Sequence, residues 1–111
     1  MNSPEMSSQS HISELLRAPF CAVVEEIHSI PGEQPNSIRG TVLVVKVTAG
    51  VGKVGGKISV SSRPSLELVV NAIERDLAMV NEAFLTERVG LLFRSVDLST
   101  VKAGELVVAK P

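Results

Sequence analysis

A chain of 111 residues, 44% of them hydrophobic, is the size of one domain and long enough to bury one core. Its formal net charge of −1 gives no overall attraction to nucleic acid or to an anionic membrane. Neither Trp nor Tyr is present, which removes the usual stacking platform for single-stranded bases. The single cysteine, the lack of a long apolar run and the absence of a signal-peptide layout predict a cytoplasmic location, with no membrane or DNA partner.

The N-terminal residues differ in composition from the rest of the chain. The first ten, MNSPEMSSQS, are polar and Ser-rich, and they predict a flexible tail. One or two helical turns are expected next in HISELLRA, before Pro19. We therefore divide the chain into a tail over residues 1–17, with a short helix, and a domain over residues 18–111.

Several segments carry strand signals. They run from Phe20 to Ile30, Ile38 to Thr48, Arg88 to Val96 and Glu105 to Lys110. In the second segment, one face is predicted to carry Thr41, Leu43, Val45 and Val47, and the other Val42, Val44 and Lys46. Because both faces carry valine, neither is expected to be freely solvated, and the outward valines need a covering loop or partner.

The glycine-rich stretch TAGVGKVGGKISV, from Thr48 to Val60, raises the question of a phosphate-binding loop. Gly52-Lys53 is followed by valine instead of Ser or Thr, so the Walker pattern fails. A dinucleotide-binding loop would open a helix, whereas Lys57 to Val60 alternates like a strand. We predict a hairpin turn in which glycine supplies the positive φ angles. Its two lysines are expected to be solvated, with phosphate contact as the alternative.

Residues 65–84, SLELVVNAIERDLAMVNEAF, have apolar side chains at helical spacing. Ser65 stands where an N-cap would be, so periodicity alone predicts a helix and an α+β domain.

No catalytic or metal-binding pattern is found. Glu25 and Glu26 are neighbours in a strand, so their carboxylates are expected on opposite faces, where they cannot easily chelate a metal. His11 and His28 lack Cys or Asp at ligand spacing, and no nucleophile stands in a pattern with a base. The sequence therefore predicts a protein that is not an enzyme and has no cofactor.

The order of four segments resembles the second domain of the translational GTPases, elongation factor Tu in particular. The segments are APFCAVVEEIHSIPG, RGTVLVVKVTAGVGKVGGKISV, IERDLAMVNEAFLTERVGLLFRSVD and VKAGELVVAKP. The resemblance implies an all-β fold, a closed six-stranded Greek-key β-barrel. It also implies that Leu66 to Arg75 is a strand followed by a loop through Asn81-Glu82-Ala83, and we adopt that prediction over the helix. The family's nucleotide-binding parts belong to a preceding domain that this sequence lacks, so the chain by itself is not expected to be a GTPase.

The sequence departs from the family pattern in two places. Residues 33–38, EQPNSI, lengthen the first hairpin loop, which is expected to be mobile. Elongation factor Tu holds the acceptor end of aminoacyl-tRNA with a Glu, an Arg and an Asn, and the resemblance matches these to Glu74, Leu77 and Arg88. Only the glutamate is retained, and Arg88 agrees with the wider family instead.

The predicted function is a non-enzymatic binding module that contacts the ribosome, RNA or a GTPase domain. Its partner-binding residues are predicted to be Val44, Lys46, Glu74 and Arg88. For Glu74 the alternative is a purely structural role with local hydrogen bonds. For the whole chain the alternative is a structural or self-association domain, a homo-oligomer that keeps the barrel and has lost acceptor-end binding.

Overall fold

The computed structural model describes residues 12–111, so the tail predicted for residues 1–10 lies outside the described residues, as does His11. A short helix covers residues 12–17, within the stretch where the sequence predicts helical turns. The carbonyl of Leu15 accepts a 2.7 Å hydrogen bond from the Gly50 amide, which attaches the helix to the glycine-rich stretch. No helix in the described part of the chain is long and apolar enough to span a membrane. The domain boundary at residue 18 stays a prediction.

The domain is all-β, as the sequence predicts. Residues 12–111 contain the strands β1 (Cys21–Pro31), β2 (Ile38–Ala49), β3 (Gly52–Lys53), β4 (Lys57–Val60), β5 (Arg63–Val69), β6 (Ala72–Arg75), β7 (Ala78–Val80), β8 (Glu82–Ala83), β9 (Arg88–Arg94) and β10 (Leu106–Ala109). The region with helical spacing is thus β5 to β8. The single strand predicted from Leu66 to Arg75 was wrong, because the chain leaves β5 after Val69 and begins β6 at Ala72, and the loop predicted through residues 81–83 contains β8. Burial there does not follow a helical face, because Leu68 and Ile73 are buried whereas Leu77 is 95% exposed.

Eight strands form the main sheet, in the order β5-β4-β10-β1-β2-β9-β6-β7, and β3 pairs with β8. Only Val70 and Asn71 separate β5 from β6, although these strands lie near opposite ends of that order. The Val70 carbonyl accepts a hydrogen bond from Gly55 at 2.7 Å, and the Asn71 amide donates to Leu92 of β9 at 2.8 Å. The sheet therefore curls until β5 and β6 meet at this link. Its strand pairing leaves two ends, so the closed six-stranded barrel is not confirmed.

The glycine-rich stretch is a turn, but the predicted hairpin was wrong. β2 pairs with β1 and β9, whereas β4 pairs with β10 and β5, so the strands that flank the stretch are not partners. The chain crosses between two parts of the sheet and forms β3 on the way. Gly50 and Gly55 have φ angles of 67° and 86°, so the predicted need for glycine is confirmed.

The predicted alternation along β2 is confirmed. Its inward residues Thr41, Leu43, Val45 and Val47 are each at most 1% exposed. The core that they join includes Phe93, Ile73, Leu91 and Leu98. The Thr41 hydroxyl donates to the Val96 carbonyl at 2.8 Å and accepts from the Leu98 amide at 3.0 Å. This hydroxyl fixes the segment after β9 over the core.

The inserted loop between β1 and β2 is closed by Ser37. Its amide and hydroxyl both donate to the Gln34 carbonyl, at 3.1 and 2.6 Å. Its carbonyl accepts from the Gly32 amide at 3.0 Å. The insertion thus forms a compact turn at one end of the sheet.

Candidate functional site

The predicted partner-binding residues lie on the outer face of three neighbouring strands. Val44 of β2 and Glu74 of β6 are both in register with Gly90 of β9, from opposite sides. Lys46 is in register with Arg88. Because residues in register on antiparallel strands point to the same face, the structure brings all four predicted residues into one patch.

A groove of about 490 Å³ runs through this patch. Val44, Glu74 and Arg88 line it together with Leu77, whereas Lys46 does not. The groove exists because β9 has no side chain at Gly90. A Cβ atom there would lie 3.1 Å from Cγ1 of Val42 and 4.0 Å from the Cβ of Glu74.

A second, smaller groove of about 170 Å³ continues the first across the sheet. The two share Val42, Glu74 and Gly90. The walls of the smaller groove are apolar, formed by Ile30, Ala72, Met79 and Leu92. Together the two grooves give the outer face an apolar floor.

A β-bulge places two carboxylates at the edge of the groove. Val24 is in register with Val45 and Glu26 with Val44, so Glu25 is an extra residue in β1. The bulge interrupts the alternation, and both glutamates reach Arg88. The prediction that they lie on opposite faces was therefore wrong.

Arg88 is held by both of these carboxylates. Its Nε donates to Oε1 of Glu25 at 2.7 Å, and its Nη2 donates to Oε2 of Glu26. The hydrogen bond to Glu25, with the charges of both carboxylates, raises the pKa of Arg88. The pairing also offsets the repulsion between Arg88 and Lys46, which lie directly opposite each other.

His28 extends this cluster along β1. Its Nε2 lies 3.0 Å from Oε1 of Glu26. This hydrogen bond and the nearby guanidinium of Arg88 lower the pKa of the Glu26 carboxyl. Glu26 therefore stays ionised at neutral pH.

The opposite wall of the groove is the turn between β6 and β7. Asp76 and Leu77 both have positive φ, 52° and 67°, which is the geometry of a primed hairpin turn. For leucine, that conformation is unfavourable by about 1 kcal/mol. The Leu77 side chain gains no burial in return, because it is 95% exposed, and Met79 beside it is 70% exposed. These apolar side chains at the wall of a groove are available to a partner.

Several residues of the groove are not among those predicted from the sequence. Glycine within the apolar run RVGLLF signals a close approach or an open space in a strand, and this signal identifies Gly90. No local signal points to Asp76 or Met79, because the wall that they form depends on the pairing of β7 with β6.

The fold matches known structures. The SelB elongation factor of Methanococcus maripaludis in its apo form aligns with a TM-score of 0.73 and 21% identity, over 96% of this chain and 24% of that chain. Its complex with the GTP analogue GPPNHP aligns with a TM-score of 0.74 and 22% identity, over 96% and 22%. A bacterial selenocysteine-specific elongation factor, EF-Sec, aligns with a TM-score of 0.71 and 25% identity, over 94% and 17%.

This chain has the fold of a β domain of translation elongation factors. It spans at most 24% of the length of those solved chains. No protein-family profile matches its sequence.

Within this elongation-factor fold, the positions matched by resemblance to the acceptor-end residues come together. Glu74, Leu77 and Arg88 all line the larger groove. Glu74 makes no side-chain hydrogen bond or ion pair within residues 12–111, so local bonding does not account for it. The groove is thus a candidate binding site, at the positions that the resemblance matches to the acceptor-end residues.

Proposed function

We propose that this chain is a non-enzymatic binding module of the translation machinery and that the groove over Gly90 is its contact surface. Val44, Lys46, Glu74 and Arg88 would be its contact residues, and the ribosome, an RNA or a GTPase domain its partner. One observation carries the proposal. An open groove with an apolar floor lies where the resemblance to elongation factor Tu places the partner site, on a chain with an elongation-factor fold.

The side chains of the groove argue against recognition of an aminoacylated acceptor end. Leu77 stands where the family has Arg and offers no hydrogen bond, and Arg88 stands where it has Asn. The guanidinium of Arg88 is engaged by Glu25 and Glu26. We therefore expect no preference for aminoacylated over uncharged tRNA in filter binding, and a tenfold preference would contradict this proposal.

Two finer features belong to the same proposal. We propose that the curled sheet closes as a barrel of the translation-factor type, which the short link at Val70 and Asn71 supports. A partner in translation would place the protein in the cytoplasm.

Guanine nucleotides test the non-enzymatic part. The glycine-rich stretch has neither the spacing nor the hydroxyl of a phosphate loop. GTP and GDP at micromolar concentration should leave the melting temperature unchanged, because a ligand that does not bind the folded state does not stabilise it. A rise of several degrees would show a nucleotide site.

Co-sedimentation with purified ribosomes, and capture by an isolated translational GTPase, test the contact surface. Val44→Lys puts a charge on the floor of the groove. Val69→Lys is the matched control, because Val69 is a 44% exposed valine on β5 that lines neither groove. We expect binding to be lost with Val44→Lys and kept with Val69→Lys. Equal binding by the two variants would exclude the groove as the contact surface.

Self-association is the second candidate, and the exposed apolar side chains of Leu77 and Met79 favour it. Sedimentation equilibrium of the wild-type chain distinguishes the two. If the chain is an oligomer that Val44→Lys converts into a folded monomer, with no effect on ribosome or GTPase binding, self-association is the function of this face.

A further inference from the structure

The walls of the larger groove carry more negative than positive charge. The carboxylates on or next to it are those of Glu25, Glu26, Glu74 and Asp76, and the cations are Arg88 and Lys46. Four negative and two positive charges give a local charge of −2 with neutral histidine, against −1 for the whole chain. The field of the groove therefore repels a phosphate backbone.

Arg88 does not reverse this preference. A guanidinium grips phosphate with two parallel N–H groups, and here Nε and Nη2 already donate to Glu25 and Glu26. A phosphate that used the remaining N–H groups would stand beside both carboxylates, which repel it. Nucleic acid is therefore a poor ligand for the groove.

The apolar floor of the two grooves is long enough for an extended peptide. It crosses β1, β2, β9, β6 and β7, through Ile30, Val42, Leu92, Ala72 and Met79. Five strands at about 4.8 Å spacing span about 19 Å. An extended segment of about six residues covers that distance at about 3.3 Å per residue. The larger groove, which Gly90 lines, has a volume of about 490 Å³ and accepts one side chain of such a segment.

The carboxylates of Glu74 and Asp76 indicate which side chain stands next to the aliphatic one in the ligand. Glu74 and Asp76 are both exposed and pair with no cation in residues 12–111. They stand beside the apolar floor, at the same wall as the exposed Leu77. A lysine or arginine next to an apolar side chain complements this arrangement of carboxylates and apolar surface.

We infer that the groove binds an extended protein segment in which an aliphatic side chain seats over Gly90 and a neighbouring lysine or arginine meets Glu74 and Asp76. The inference rests on the proposed function, since it names the chemistry of the partner for that same surface. It assigns the contact to a protein of the translation machinery and not to RNA.

NMR titration of the isotope-labelled full chain tests the inference, because amide shifts report weak binding and locate it. The probes are four: hexapeptide pools with a fixed Leu-Arg pair, with Leu-Glu, with Gly-Arg, and a pool of single-stranded RNA hexamers. We expect the Leu-Arg pool to shift the amides of Val44, Glu74 and Gly90. The other three pools should bind at least tenfold more weakly, a difference of about 1.4 kcal/mol.

Glu74→Lys should weaken binding of the Leu-Arg pool at least tenfold, and Glu14→Lys is its matched control. Glu14 is an exposed glutamate of the helix over residues 12–17, so the two variants change the net charge equally. Gly90→Val, which fills the floor, should have the same effect as Glu74→Lys. Since Glu74 is exposed, that variant tests the inference even where Gly90→Val fails to fold.

The inference is overturned if the RNA pool binds as tightly as the Leu-Arg pool, or if Glu74→Lys and Glu14→Lys bind that pool equally. If the peptide pools do not bind while ribosome binding still depends on Val44, the proposed function stands and the protein segment is wrong. If the wild-type chain binds neither ribosomes nor peptides, both are wrong.

Discussion

The two faces of β2 are built from similar residues and differ in what covers them. On the inward face, Val45 and Val47 are at most 1% exposed, in contact with the core. On the outward face, Val42 and Val44 are half-buried and line the grooves. Valine favours a strand on either face. The inward valines are explained by packing in the core. The outward valines have no core to fill, and we attribute them to the grooves that they line.

We expect the largest loss of stability when a charge is placed on the inward face of β2. Val45→Asp buries a carboxylate without a partner, and the cost of that burial is comparable to the whole stability of about 5–15 kcal/mol of a domain. The variant should be unfolded at 25 °C, with loss of the β-type circular dichroism spectrum and of amide shift dispersion. A cooperative melting transition in this variant would show that Val45 does not face the core.

A matched pair of conservative substitutions measures the same difference more finely. Val45→Thr and Val44→Thr make an identical change at adjacent residues on opposite faces. Val45→Thr should cost about 1–3 kcal/mol because its hydroxyl lacks a partner in the core. Val44→Thr should stay within about 0.5 kcal/mol, as expected for a surface position. Urea denaturation gives both values, and equal costs would mean that the outer face is as well covered as the core.

Thr41 shows how the inward face accepts a hydroxyl. It is 0% exposed, and its hydroxyl bridges the Val96 carbonyl and the Leu98 amide. Thr41→Val keeps the shape but leaves that amide and carbonyl without partners, at a cost of about 1–2 kcal/mol. Hydrogen exchange should quicken at the Leu98 amide more than elsewhere in the core. Unchanged protection there would mean that the bridge does not hold the segment after β9.

Local features of the fold are predictable from the sequence, and strand pairing is not. Alternation within one strand is a local property, and the faces of β2 follow from it. The hairpin predicted for the glycine-rich stretch was wrong because strand pairing is not local: β2 and β4 have other partners. Strand instead of helix at residues 66–75 was predicted only through resemblance to a family, since the helical spacing points the other way, and even the resemblance did not predict the break between β5 and β6.

Less of the candidate site than of the fold was predictable from the sequence, because the site depends on strand pairing. Val44 and Lys46 follow from alternation, and Glu74 and Arg88 follow from the resemblance. The contact of Glu25 and Glu26 with Arg88 depends on a bulge, and neither glycine nor proline stands next to Glu25 to signal it, since the one proline of β1 is its last residue. The groove itself depends on Gly90 lying between β2 and β6, a juxtaposition of strands that are distant in sequence.

The smallest effect is expected at the carboxylates on the rim of the outer face. The pKa of Glu26 is lowered by its hydrogen bond with His28 and by the charge of Arg88. Because its folded-state pKa lies below the unfolded value, the resulting stability is complete above the ordinary pKa of 4.5 and is lost as pH falls through the folded-state pKa. Arg88→Gln should raise the pKa of Glu26 toward its ordinary value, and the variant should then lose less stability on acidification than the wild type.

Carbon-13 NMR titration of the glutamate carboxyl groups measures this shift directly. Arg94→Gln is the matched control, since Arg94 is an exposed arginine at the other end of β9 and forms no ion pair within residues 12–111. The control should leave Glu26 unchanged. If Arg88→Gln also leaves it unchanged, Arg88 is not held by Glu26 in solution. Its Nη2 group would then be available to a phosphate, which weakens one of the two arguments for a protein segment over RNA in the groove.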